Sequence, residues 1–298
     1  DVGKVDVYSR TGDNWTLTNT LQGANDNEFL GSEIALSGDG NVLVASNPTF
    51  NTDEGIVRTL IISSGINYTP LNGLATEEIG SSLALNTDGS LLVIGVIGLP
   101  EVRIYQTDGT KWIPHVLLSA DIIPPRYGSV GDFGISVAVA GTGDIGTIVA
   151  VGATDPQGGG IALGELNIYI LTSDPLDRWS NIGFIQDPGS LGIASKFSSI
   201  IDISEDGNIV AAAAPRGENL SGSSDAGYVI VHQRDLSQTK PDQYDRQIGN
   251  TIYGETSSQL CGTSLRICQQ GALLGIGFFR DGSGLLRNNG HGALYKLI

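Results

Sequence analysis

Two acidic residues stand in the middle of alternating apolar strands, Glu33 and Asp202. A pair of carboxylates about 5 to 10 Å apart across a sugar-binding cleft is the machinery of glycoside hydrolysis. No third carboxylate at that register supports them, so the expectation is a chain that is not an enzyme. Gly141-Thr142-Gly143-Asp144-Ile145-Gly146 matches the dinucleotide-binding pattern letter for letter. That motif works by seating a pyrophosphate on a helix N-terminus, whereas the residues that follow here are a strand, so it reads as a glycine-rich turn. There is no nucleophile elbow, phosphate-binding loop or paired-histidine zinc motif. His115, His232 and His291 fall far apart and read as scattered surface residues with no nucleophile beside them.

Cys261 and Cys268 flank one strand. Extended, the stretch between them spans about 23 Å, beyond the roughly 7 Å reach of a disulfide, so both read as small buried apolar residues, an intermolecular link being the alternative. Several Asp-Gly turns could suggest calcium, as in Ser37-Gly38-Asp39-Gly40-Asn41 and Ser204-Glu205-Asp206-Gly207-Asn208, but they offer one carboxylate or two, and Gln269-Gln270-Gly271 has none. Ca²⁺ takes about six to eight oxygens, so the expectation is no metal and no cofactor.

The elements that carry these residues come from a repeat. GSEIALSGDG from Gly31, GSSLALNTDG from Gly80, GISVAVAGTG from Gly134, SSIIDISEDG from Ser198 and GTSLRICQQG from Gly262 are five copies of one pattern, spaced by 49, 54, 64 and 64 residues. The units begin near residues 29, 78, 132, 196 and 260. Each opens with a strand of period two, here called A, as in Ile34-Ala35-Leu36. An Asp-Gly turn that tolerates positive φ then predicts a hairpin into strand B, which is continuously apolar. One position of strand B is always small: Ser46, Gly95, Gly152, Ala213 and Gly277. That register predicts close approach by a neighbouring backbone or ring.

A third strand, C, follows in Gly-x-Val-x-Val-Tyr style, from Gly55, Glu101, Gly164, Gly227 and Gly292, with a sixth copy at Gly3. The fourth, D, starts at an aromatic: Trp15, Tyr68, Trp112 and Trp179, with a weaker match near Tyr244. Four strands per unit without helical periodicity predict an all-β chain, a single β-propeller domain over 1–298 with five four-stranded blades, six or seven being the alternative counts. The last unit lacks strand D. The hairpin over 1–22 is therefore expected to close the ring, its Trp15 strand completing the last blade, or else to dock on a neighbouring copy.

Phe133-Gly134, Ser136-Val137-Ala138-Val139, Val151-Gly152-Ala153 and Gly164-Glu165-Leu166-Asn167-Ile168-Tyr169 resemble the FG-GAP type of propeller repeat, found in the heads of integrin α-subunits and in many surface proteins. The resemblance runs along nearly the whole chain and implies a propeller fold. Only the third unit has a literal Phe-Gly, and the A–B loops lack the alternating Asp and Asn ligands of calcium-binding members.

With 32 acidic against 16 basic residues, a formal charge of −16 and 42 glycines, the surface repels nucleic acid and anionic membranes. No apolar run approaches a membrane span of about eighteen residues. There is no methionine, so a chain beginning at Asp1 reads as a processed or excised form. The sequons at Asn14, Asn67 and Asn219 mark candidate glycosylation in a secreted protein.

These features predict a non-catalytic extracellular or cell-surface module for adhesion, assembly or protein–protein interaction, with protein or glycan partners. A lectin-like propeller is the alternative, using Phe50, Tyr127, Phe184 and Tyr253. At the register where three units carry Ala35, Ala84 and Ala138, the last two place Asp202 and Arg266. They are expected to form a buried inter-blade ion pair whose loss costs about 3 to 5 kcal/mol.

Overall fold

The computed structural model describes residues 1–119, 132–143, 145–154, 164–174, 178–188, 195–268, 271–279 and 290–297. They form an all-β chain in two compact units, Asp1–Ser119 and Ala120–Ile298. Tyr127, Asp144 and the Gln269-Gln270 pair lie outside the described residues.

In the first unit, β1 (Lys4–Thr11) and β2 (Asn14–Gln22) pair as a two-stranded sheet. The first repeat supplies β3 (Glu33–Leu36), β4 (Val42–Asn47) and β5 (Ile56–Ile61), with β5 flanked by the short β6 (Ile66–Asn67) and β7 (Leu71–Asn72). The second repeat is a four-stranded meander of β8 (Ile79–Leu85), β9 (Leu91–Val96), β10 (Glu101–Thr107) and β11 (Trp112–Ser119).

The second unit repeats the scheme with β12 (Phe133–Ala140), β13 (Ile148–Ala153), β14 (Glu165–Leu171) and β15 (Trp179–Gln186). The fourth repeat has β16 (Ile200–Ile203), β17 (Ile209–Ala214) and β18 (Tyr228–Gln233), with the short β19 (Arg246–Gln247) and β20 (Ile252–Tyr253) on its edge. The fifth has β21 (Cys261–Cys268), β22 (Leu273–Phe278) and β23 (His291–Lys296). Every pairing between named strands is antiparallel. The A strands of successive sheets lie side by side within each unit, β3 by β8 and β12 by β16 by β21.

The B strands β4, β9, β13 and β17 are buried along their whole length, which is why their sequences are apolar without alternation. The Asp-Gly turns differ from a two-residue hairpin. Ser37 and Val42 pair across a four-residue loop, and only Gly40, at φ +74°, takes the left-handed conformation. The Asp39 carboxylate instead accepts from Ser37 Oγ and from the Asn41 N–H. Asp206 does the same with Ser204 and Asn208.

Two expectations need correction. The Tyr68 and Tyr244 strands do not form as single runs. Pro70 breaks the first, because proline has no N–H for the ladder, and Tyr244 ends a turn of 3-10 helix, Asp242–Tyr244. Within the first unit β2 pairs with β1, and within the second the last sheet has the order β21-β22-β23 among the described residues. Val5, Val7 and Leu21 of the hairpin pack with Leu30, Leu43 and Leu60 of the first repeat. No closed barrel or propeller is formed by the strand pairing among the described residues.

The small position of strand B has the neighbour the sequence predicts. The Ser46 hydroxyl donates to the carbonyl of Gly80, at the start of the next A strand, over 2.7 Å. A Cβ at Gly80 would lie 2.6 Å from Ser46 Cβ, and Gly80 sits at φ +90°. Ala213 meets Gly262 in the same way, also at 2.6 Å. Between the third and fourth repeats the two sides are exchanged. Gly152 is on strand B and Ser198 at the A-strand position, where its hydroxyl donates to the carbonyl of Glu165 over 2.7 Å.

The Ser46–Gly80 and Ala213–Gly262 contacts have room for one side chain, while a Cβ at Gly152 would meet the Ser198 carbonyl and the Ser136 hydroxyl. Gly80→Ser is therefore expected to destabilise by roughly 2 to 4 kcal/mol through overpacking and left-handed strain. Adding Ser46→Gly, which copies the Gly152–Ser198 arrangement, should recover a substantial part of that loss. Urea unfolding of the four species of this cycle checks the coupling, and additive losses would contradict it.

Candidate functional site

Three residues before the repeat positions Gly31, Gly80, Ser198 and Gly262 stands a buried acceptor that the sequence pattern did not reveal: Glu28, Glu77, Ser195 and Gln259. Each takes backbone N–H groups of the turn leading into the strand. Glu28 accepts from Ala24 and Asn25, Glu77 from Leu74, Ser195 from Phe197, and Gln259 from Glu255 and Thr256. In the first two repeats the acceptor is also an ion-pair partner. Arg58 of β5 grips Glu28 with two hydrogen bonds. Arg103 of β10 bridges Glu77 and Glu101. In the fourth repeat the buried carboxylate is Asp187, which accepts from both Ser195 Oγ and the Tyr228 hydroxyl.

Glu28 is fully buried and Arg58 nearly so. Burial pushes the Glu28 carboxyl upward, but Arg58 and the Asn25 and Ala24 N–H groups outweigh it and hold its pKa below the usual carboxylate value. Arg58→Ala leaves that carboxylate unpaired and should cost on the order of 3 to 5 kcal/mol. Because the folded pKa of Glu28 is lowered, its contribution is present above the unfolded carboxyl pKa of about 4 and is lost as the pH falls through the folded value. Acid unfolding of the wild type and the variant checks this: the stability gap should narrow toward low pH.

The sequence-predicted residues are distributed as follows. Asp202 and Arg266 do approach, Nη1 to Oδ1 at 3.6 Å, but the Arg266 side chain is 81 % exposed against 9 % for Asp202. The firmer partner of Asp202 is the Ile267 N–H. Burial raises the Asp202 pKa against the opposing pull of Arg266 and the backbone N–H groups of Ile267 and Ile203. The expected 3 to 5 kcal/mol is therefore corrected to the value of a solvated pair. Arg266→Ala should cost no more than about 1 kcal/mol.

Asp202→Asn keeps the acceptor for Ile267 and removes a desolvated charge, so it should hold or raise stability at pH 7. For a raised carboxylate the destabilisation grows as the pH climbs from the unfolded value through the folded one. The advantage of the Asn variant should thus vanish in acid, as thermal unfolding across pH would show.

Glu33 is exposed on β3 of the first unit and has no hydrogen-bond or ion-pair partner among the described residues, while Asp202 belongs to the second unit. His232 corrects the surface reading, being buried with Nδ1 2.7 Å from the Tyr244 carbonyl, and burial lowers its pKa. His291 stacks on Phe278, and His115 lies on β11. Cys261 is buried, its thiol pushed up to about 12 by burial, whereas Cys268 is exposed. Asn14 and Asn67 are exposed. The Asn219 amide donates to the carbonyls of Gly254 and Glu255, which ties down the turn opposite.

A concave place where charge is left unpaired among the described residues is a cavity of about 300 Å³ in the second unit. It lies where the A strands of the third to fifth repeats begin and the B strands of the third and fourth end. Lys196 and Arg216 line it, and neither has an ion-pair partner among the described residues. The Arg216 N–H donates to the Ser195 carbonyl, placing the two basic residues on adjoining backbone. Ser199 and Thr263 add hydroxyls, and Thr154 uses its own on Asp132. The rest of the wall is aliphatic, with Ile135, Ile200 and Pro215.

Lys196 is held at φ +57°, and the residues at the same place in other repeats, Phe29, Glu78 and Leu260, are also left-handed, at +44°, +53° and +52°. The backbone corner recurs while its side chain changes from apolar to acidic to basic. No family model matches this sequence, and no curated protein matches it. No helix of the described residues is long and apolar enough to cross a membrane.

Proposed function

We propose that the chain is a non-catalytic recognition module of an extracellular or cell-surface protein, whose antiparallel sheets are the blades of a five-bladed, FG-GAP-like propeller. The observation that carries this reading is the division of labour among polar groups. Buried carboxylates such as Glu28, Glu77 and Asp187 are engaged in contacts that fix turns and strands, while the corner before the A strand keeps its left-handed backbone and varies its side chain in four of the repeats. A constant frame with variable corners suits binding through loops. The formal charge of −16 disfavours nucleic acid and anionic membrane as partners.

The lectin-like alternative has less support. Tyr253 packs on Tyr228, ring centroids 5.8 Å apart, and the cavity at Lys196 is lined by aliphatic and hydroxyl groups rather than by a ring on which a sugar could stack.

The test is to present the intact chain with a displayed peptide library, a glycan array and a panel of polysaccharides. Saturable peptide binding without release of reducing sugar is the expected result. Sugar release that Glu33→Gln or Asp202→Asn abolishes would overturn the non-catalytic reading, and glycan binding alone would favour the lectin.

A further inference from the structure

We infer that the cavity at Lys196 and Arg216 receives a single carboxylate of an acidic peptide, from an Asp or Glu side chain or from a chain end. This rests on the reading of the chain as a recognition module and names the chemistry of one of its sites.

The first reason is charge left over. The chain carries 32 acidic and 16 basic residues, yet two cations share one concavity and neither is paired with an acid among the described residues. Asp132, the carboxylate bonded to Thr154, makes no ion pair with either of them. A guanidinium presents a planar fork that takes a carboxylate through two parallel hydrogen bonds, and an ammonium beside it adds a point charge. The hydroxyls of Ser199 and Thr263 have no protein partner among the described residues and stand ready as further donors.

The second reason is size and lining. A cavity of about 300 Å³ is at the small end of ligand sites and holds one short side chain. Ile135, Ile200, Pro215 and Leu260 give its methylene groups an apolar wall. A saccharide would find no aromatic face there.

The third reason is the field around it. A sulfated polysaccharide needs a track of cations, because its affinity comes from neutralising many charges in succession. Two cations in a chain of net charge −16 attract one anion locally and repel a polyanion at longer range. The corner also allows such a site to arise: its left-handed backbone is shared with Phe29, Glu78 and Leu260, so the basic side chain at 196 is not required by the fold.

The test is titration of the ¹⁵N-labelled intact chain with acetyl-Gly-Asp-Gly-amide, its Asn counterpart and acetyl-Gly-Gly with a free carboxyl terminus, followed by amide shifts. Saturable shifts at Lys196, Ser199, Arg216 and Thr263 are expected with the Asp probe, at a Kd of about 1 mM. The Asn probe should bind about tenfold more weakly or not at all. The free-terminus probe tells whether a chain end serves as well as a side chain.

Lys196→Gln and Arg216→Gln should each weaken binding about fivefold without moving the unfolding midpoint, as expected for solvent-accessible charges, and Lys196→Arg should retain it. Equal binding of the Asp and Asn probes, shifts confined to other residues, or tighter binding of inorganic sulfate or a heparin disaccharide would overturn the assignment. If the carboxylate fails here while the displayed library still yields binders, the site falls and the module stands. If the carboxylate binds and the library, glycans and polysaccharides give nothing, the module reading falls and the site stands.

Discussion

The contact on which the repeats depend is the approach of strand B to the start of the following A strand, where the space admits one side chain and no more. A glycine must stand on one side: Gly80 against Ser46, Gly262 against Ala213, and, reversed, Gly152 against Ser198. Close packing makes this strict, since a single extra methyl forces backbone or rotamer shifts. The same contact carries hydrogen bonds. Ser46 reaches the Gly80 carbonyl, Ser136 the Ser198 carbonyl, and Ser198 the Glu165 carbonyl. Adjoining sheets are thereby tied at one level, which fixes the height at which the A strands begin.

That level organises the polar interior as well. The residues just before it must turn sharply, exposing backbone N–H groups in a region that the sheets bury, and an unsatisfied group there is costly. Glu28, Glu77, Ser195 and Gln259 meet the need with three different chemistries, carboxylate, hydroxyl and amide. Where the acceptor is charged, a cation from strand C accompanies it, as Arg58 does Glu28 and Arg103 does Glu77. In the fourth repeat neutral donors, Ser195 and Tyr228, hold the Asp187 carboxylate. The left-handed corner between acceptor and strand is fixed by both neighbours, so its side chain faces no packing requirement of its own. In this frame a basic residue at 196 beside Arg216 is a choice the fold permits without demanding.

Much of the fold was legible in the sequence, because period-two alternation, apolar B strands and turn glycines are local signals. The five A–B hairpins, the small register of strand B and the strand C starts all lie where the pattern put them. The failures were of another kind. Trp15 reads like Trp112 and Trp179, yet it is 66 % exposed while they are 6 % and 7 %. Local sequence does not say which strand will lie alongside. His232 and Cys268 were misjudged in opposite directions for the same reason. Each sits in an ordinary alternating strand, and its exposure is decided by what covers that face.

The sequence by itself determined that the chain is built of antiparallel β-hairpins in five repeats, since side-chain alternation and turn chemistry act within a few residues of their own position. Only the tertiary structure decided which carboxylates are consumed. Glu28 meets Arg58 across 30 residues and Asp187 meets Tyr228 across 41, separations that no local pattern encodes. It also reduced the Asp202–Arg266 pair to a solvated contact, and it left Lys196 and Arg216 unpaired in one cavity. Charge pairing depends on distance and burial in three dimensions, and a linear register supplies neither.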